Sequence, residues 1–262
     1  MRLWLMLVIS CLCPFAFGAP GDLQETTWRL CVLVQSEVGD GGCGVSGTAT
    51  GTGLFVAPDL VLTCNHLLLI PFDYGTVPAD RVSVETRRGN FVPATIVRRD
   101  LEHDLALLKV SETVAVQPMK IPKFRLKRGG KVMIVANFPD AIRVVRGELV
   151  NRTLMEGFAV SSAKVRSGFS GGPIIDPEGA VQGILSQRDN ANNSIFVRSD
   201  VIRNMLMDYS RETGRELSCL EEPAPATATL VSTGVADTEP ARDSVEIVVA
   251  LPVRRATAAY CR

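Results

Sequence analysis

The chain has 262 residues, 46% of them hydrophobic and 21% charged, with 28 basic and 28 acidic side chains. That length and balance suit one large globular domain or two small ones. The zero formal charge offers no electrostatic basis for binding nucleic acid or an anionic membrane.

The N-terminus reads as a secretory signal over residues 1–18. Arg2 precedes an apolar run from Leu3 to about Phe17, and Ala16 and Gly18 put small residues at the −3 and −1 positions before Ala19. The run is shorter than the roughly 20 residues a membrane span needs. The expected mature protein therefore has no span and is secreted or periplasmic. Cleavage removes Cys11 and Cys13 and leaves Cys31, Cys43, Cys64, Cys219 and Cys261. An odd number leaves at least one thiol unpaired or paired between chains. Cys31 and Cys43 flank an expected hairpin and are the first pair to test, with the connectivity open. With two histidines and no Cys-x-x-Cys, neither a metal site nor a cofactor is expected.

Strands are expected at Trp28–Gln35, Gly47–Val56, Leu60–Cys64, Arg81–Thr86, Phe91–Arg98 and about Leu105–Val110, with one helical turn beginning at Leu67. Ser111–Pro122 has no pattern and reads as a linker. Further strands are expected at Lys131–Ala136, Arg143–Leu154, Gly157–Ala163, Gly172–Ile175, Ala180–Ser186 and Ser194–Arg198. Two runs of short strands separated by turn residues predict an all-β fold of two packed antiparallel six-stranded barrels, about 27–118 and 119–198. Ser199-Asp200 can cap a helix from Val201 to about Thr213, with Val201, Met205 and Tyr209 on one face and Gly214 as its stop. Residues 19–218 make the expected domain. Residues 219–262 read as a flexible polar tail, in which Val245–Leu251 alone could add a strand to an exposed edge or to another chain. The tail is shorter than an appended peptide-binding domain of roughly 80 to 100 residues.

Chemistry concentrates at Ser167-Gly168-Phe169-Ser170-Gly171-Gly172-Pro173. Glycines let backbone N–H groups point at a ligand. A serine hydroxyl is a weak nucleophile that needs a base, and the base needs orienting. The only histidines are His66, at the end of an expected strand, and His103. Asp104 opens the apolar run Leu105-Ala106-Leu107-Leu108. The order His66, Asp104, Ser170 is that of a chymotrypsin-type triad, with the first two residues in one expected barrel and the serine in the other.

On Gly51-Thr52-Gly53-Leu54-Phe55-Val56, Val61-Leu62-Thr63-Cys64-Asn65-His66, His103-Asp104-Leu105-Ala106-Leu107-Leu108-Lys109, Gly168–Pro173 and Gly183-Ile184-Leu185-Ser186, the chain resembles a trypsin-like serine endopeptidase. It is nearest to the protease domain of the HtrA/Deg branch, without a PDZ domain. The resemblance covers about residues 27–210. It implies Ser170 as nucleophile, His66 as general base and Asp104 as its orienting acid. It also implies an oxyanion hole from the N–H groups of Gly168 and Ser170, Ser186 supporting Asp104, and substrate backbone pairing along Leu185–Arg188. Val165, Ser186, Gln187 and Arg188 are then the expected substrate-binding residues, and His103 is a spare loop residue. Lys164 and Arg188 near the specificity pocket raise the expectation of an acidic preference. Phe169 stands where the family usually has Asp or Asn, so activation by a freed N-terminus is excluded and the oxyanion turn is the point of departure. The expected partner is a protein or peptide substrate; the oligomeric state is left open. The alternative is a non-catalytic peptide-binding or quality-control module on the same fold.

Overall fold

The computed structural model describes residues 31–39, 46–73, 75–152, 154–221 and 247–250. The expected signal segment, Trp28, Cys43 and Cys261 lie outside them. The first barrel is closed by β1 (Cys31–Val38), β2 (Gly47–Ala57), β3 (Leu60–Cys64), β6 (Arg81–Arg87), β7 (Asn90–Asp100) and β8 (Leu105–Val110), in the order β1-β2-β3-β8-β7-β6. A hairpin of β4 (Leu69–Phe72) and β5 (Gly75–Pro78) stands beside it. The second barrel holds β9 (Lys131–Asn137), β10 (Ala141–Asn151), β11 (Phe158–Lys164), β12 (Pro173–Ile175), β13 (Val181–Arg188) and β14 (Asn193–Arg198). It runs β11-β14-β13-β12-β9-β10 and closes through β10–β11 pairing at Leu149 and Asn151. Helix α1 (Ser199–Thr213) follows, and β15 (Ile247–Ala250) pairs with Ala141–Val144 at the other end of β10.

The apolar pattern explains how the barrels pack. Alternate strand residues face opposite ways. In β3 and β8, Val61, Ala106 and Leu108 point into the first barrel, while Leu60, Leu62, Leu105 and Leu107 point out of it. The outward set meets Phe158, Val160, Val181, Ile184, Ile195 and Val197 of the second barrel, so both faces are buried and the stretches Leu60–Leu62 and Leu105–Leu108 read as unbroken apolar runs. Leu126, Val132, Ile134, Ile174, Leu185 and Phe196 fill the second barrel. Helix α1 caps the shared core with Ile202, Met205, Leu206 and Tyr209, whereas Val201 is only partly buried.

Several expectations need correction. Strand β1 runs to Val38, three residues beyond the expected end. The turn after β3 is a 3-10 turn at Asn65–Leu68, and Leu69 already belongs to β4. The β4–β5 hairpin went unread because Pro71 and Pro78 argue against strand. The N-cap of α1 is Arg198, without a side-chain cap bond. Ser199 is buried inside the helix, and Asp200 pairs with Arg198 through bonds of 2.6 and 3.0 Å instead of capping. Gly214 does end the helix, at φ 68°. Cys31 is a free, fully buried thiol.

Candidate active site

Strand pairing brings His66 and Asp104 together. Antiparallel β3 and β8 end opposite each other at Cys64 and Leu105, so the residues just past those ends meet. Asn65 N donates to Asp104 O at 3.0 Å, and His66 N donates to Asp104 Oδ1 at 2.8 Å. His66 Nδ1 lies 2.7 Å from Asp104 Oδ2. A carboxylate only accepts, so this contact holds the proton on Nδ1 and leaves Nε2 free to accept one. Asp104 adopts φ 55°, a left-handed conformation that the surrounding bonds hold in place. From the second barrel, Ser186 Oγ donates to Asp104 Oδ2 at 2.5 Å.

Ser170 sits in the turn between β11 and β12. Gly171 N donates to Leu185 O and Leu185 N to Gly172 O, each at 2.8 Å, which pins the turn to β13. Thr52 N donates to Ser170 O at 2.8 Å, which pins it to the first barrel. Gly171 has φ 83°, and a Cβ there would lie 1.8 Å from Thr52 O, so no other residue fits. Gly168 has φ 95°. Among the described residues, the N–H groups of Gly168 and Ser170 donate to no acceptor. Ser170 Oγ donates to Ser186 O at 3.4 Å rather than to His66.

His66, Asp104 and Ser170 line one cavity of about 610 Å³ at the barrel interface, and so do Val165, Ser186, Gln187 and Arg188. Met155, Phe158, Val165 and Leu185 give it apolar walls. Lys164 is not among its lining residues: its ammonium bonds to Ala191 O at 3.0 Å and Asn193 Oδ1 at 2.8 Å. Arg188 lies at the rim, bonded to Asn192 Oδ1 at 2.8 Å. Strand β12 pairs with β13 only as far as Ile184, whereas β14 continues to Arg188. Among the described residues, the stretch Ser186–Arg188 therefore has one ladder edge with no strand paired to it. His103 is more constrained than a spare loop residue: its ring lies 2.9 Å from Asp100 Oδ2 and stacks on Phe158 at 6.0 Å.

Cys64 Sγ, His66 and Asp104 bring three ligand-type atoms within 4.8 Å of one another. The Cys64 thiol is committed elsewhere, donating to Leu185 O at 2.9 Å. Burial, and then the Asp104 charge, push its pKa well up and oppose the thiolate a metal would need. Phe169 does not disturb the serine turn by facing solvent: it is 1% exposed and packs in the core of the second barrel. Thr52 is a residue that sequence reasoning left without a role. Its hydroxyl accepts from Asn137 N at 3.1 Å and donates to Gly168 O at 3.3 Å.

With the geometry in view, comparison with known proteins gives a consistent result. The sequence profile of the trypsin-like peptidase domain matches residues 51–184. Serine protease HTR4 of Rattus norvegicus is 26% identical over 206 residues, covering 73% of this chain and 38% of that protein. Serine protease HTRA1B of Danio rerio is 28% identical over 178 residues, covering 61% of this chain and 35% of that protein. This chain thus matches under two fifths of the length of these relatives. The crystal structure of Rv3671c protease, in an inactive form, superposes with a TM-score of 0.54 at 20% identity, covering 71% of this chain and 92% of that one. At that identity the likeness speaks for the fold.

Proposed function

The chain belongs to the trypsin-like peptidase domain family, and from that premise we propose that it is a serine endopeptidase cutting protein substrates through His66, Asp104 and Ser170. The observation that carries this reading is the carboxylate of Asp104. It holds the His66 backbone and ring from one side and Ser186 from the other, the bonding a catalytic histidine needs to keep its tautomer. His66 Nε2 takes the Ser170 proton as Oγ attacks the scissile carbonyl, then gives it to the leaving amine. Water, activated by the same nitrogen, hydrolyses the acyl-enzyme. The free N–H groups of Gly168 and Ser170 receive the oxyanion. Substrate backbone adds to the open edge at Ser186–Arg188, and its side chain enters the cavity beside Val165. Met155, Phe158, Val165 and Leu185 suit an apolar residue before the cut, and Lys164 is diverted; Arg166 and Arg188 line the same cavity and are the groups that would attract the acidic residue expected from sequence.

The second reading is a peptide-binding module without turnover. It is favoured by the Ser170 bond to Ser186 O in place of His66. Catalytic hydrogen bonds often tighten only once substrate is bound, so this geometry is compatible with the enzyme. Hydrolysis of an unfolded protein by Asp104→Asn separates the two. The enzyme reading expects a drop in kcat of about 10⁴-fold from the lost tautomer control; equal slow hydrolysis by both forms would leave only binding. The leader-like sequence supports a secreted or periplasmic location. No helix among the described residues is long and apolar enough to cross a membrane.

A further inference from the structure

The oxyanion turn rests on the β9–β10 hairpin. The Phe138 ring meets the Phe169 ring edge-on at 5.4 Å. It also fills the space over Gly168, where a Cβ would lie 2.5 Å from the ring. Thr52 adds a second link, relaying from Asn137 N to Gly168 O. Phe138 is held in turn by the start of β10. Its N–H donates to Ala141 O at 2.9 Å, and the Arg143 guanidinium lies 4.9 Å from its ring centre while pairing with Asp140 at 2.9 Å.

That same start of β10 is the stretch β15 occupies. Ala141, Ile142, Arg143 and Val144 pair in antiparallel register with Ala250, Val249, Val248 and Ile247. The far end of β10 pairs with β11 at Leu149 and Asn151, so among the described residues Ala141–Val144 presents an edge with no barrel neighbour on that side. An unpaired edge is a template for an added strand.

Building on the protease reading, we infer that Ala141–Val144 is a strand-addition site controlling the oxyanion turn, with the chain's own Ile247–Ala250 as occupant and Phe138 as the positioning residue between them. Pairing with β15 fixes the first residues of β10. These fix Phe138, and Phe138 holds Gly168 and Phe169 in the conformation that leaves the Gly168 N–H free. Aromatic packing from the β9–β10 turn thus holds the serine turn through Phe169, a residue that cannot form an ion pair.

The test uses the full chain carrying Val248→Pro and Val249→Pro. Neighbouring residues of a strand point their N–H groups to opposite sides, so the pair removes a ladder donor whichever side faces β10. The expected result is a fall in kcat of about tenfold at nearly constant KM, part of the 10²–10³-fold effect of losing an oxyanion donor. Amide exchange should quicken at Phe169 and Gly172, whose N–H groups bond to Arg166 O and Phe169 O within the turn, and a synthetic Val245–Leu251 peptide should restore both. Phe138→Ala should split kcat from KM in the same way, with Phe138→Tyr restoring it. Unchanged kcat and unchanged exchange at Phe169 and Gly172 in the proline variant would overturn the inference. Exchange needs no turnover, so faster exchange in a chain without peptidase activity would keep the inference and end the protease reading alone.

Discussion

Ser186 and Asp104 join the two barrels at a single oxygen: Ser186 Oγ donates at 2.5 Å to the Asp104 Oδ2 that also holds His66 Nδ1 at 2.7 Å. The histidine and its acid come from the first barrel, and the hydroxyl that completes the acid comes from the second. The orientation of His66 therefore depends on how the barrels dock. Ser186→Ala should lower kcat/KM by about tenfold to a hundredfold, the range for a hydrogen bond to a charged group. Ser186→Thr, which keeps the hydroxyl, should recover most of it. Initial rates on a fluorogenic peptide decide this, and an Ala variant as fast as wild type would show that Asp104 needs no support from the second barrel.

Gly168→Ala should strike the chemical step. A Cβ at Gly168 would collide with the Phe138 ring, and φ 95° is strained for any side chain. The turn must shift, taking the Gly168 N–H with it. The expected loss is about 10²–10³-fold in kcat with KM little changed. An equal rise in KM with intact kcat would place the effect on substrate binding instead.

Acid should unlatch the segment after α1 from the first barrel. Asp59, in the β2–β3 turn, takes two bonds from Arg215, one of them 2.9 Å long. These hold its carboxyl below the ordinary range. A lowered folded pKa means the stabilisation is complete above the unfolded value of about 3.9 and is lost as pH falls through the folded one. Asp59→Asn should lower Tm by about 2–4 °C near neutrality, where the pair is worth about 1 kcal/mol after solvent screening. The difference should shrink below about pH 3. A gap in Tm that stays constant down to that pH would contradict this origin.

The described cysteines should behave as core residues. Cys31, Cys64 and Cys219 are buried and free. Burial pushes all three thiols up, that of Cys219 to about 12. None should react with iodoacetamide in the native protein, and all should react after denaturation. Recovery of a Cys31–Cys43 linked peptide from a non-reducing digest would contradict the free Cys31.

Much of this was legible because burial on two faces leaves a plain mark. The runs Leu60–Leu62 and Leu105–Leu108 are apolar throughout since each serves one barrel core and the inter-barrel core together. Once they are read as neighbouring strands, the meeting of His66 and Asp104 follows. What escaped depends on contacts far apart in sequence. Thr52 reaches Gly168 across 116 positions, and no local pattern marks its hydroxyl as part of the serine turn. Phe138 is unremarked for the same reason. Ser199 looked like a cap because its residue type suits one, but the chain uses Arg198 and buries Ser199 in the shared core.

The central claim is that Ser170, activated by His66, is a nucleophile. Incubating the full chain with a fluorophosphonate and locating the adduct by mass spectrometry tests it most directly. One adduct is expected, on Ser170, that is lost in Ser170→Ala and in His66→Ala, both of which should also stop hydrolysis of an unfolded protein. No adduct on native protein, or one that survives Ser170→Ala, would contradict it.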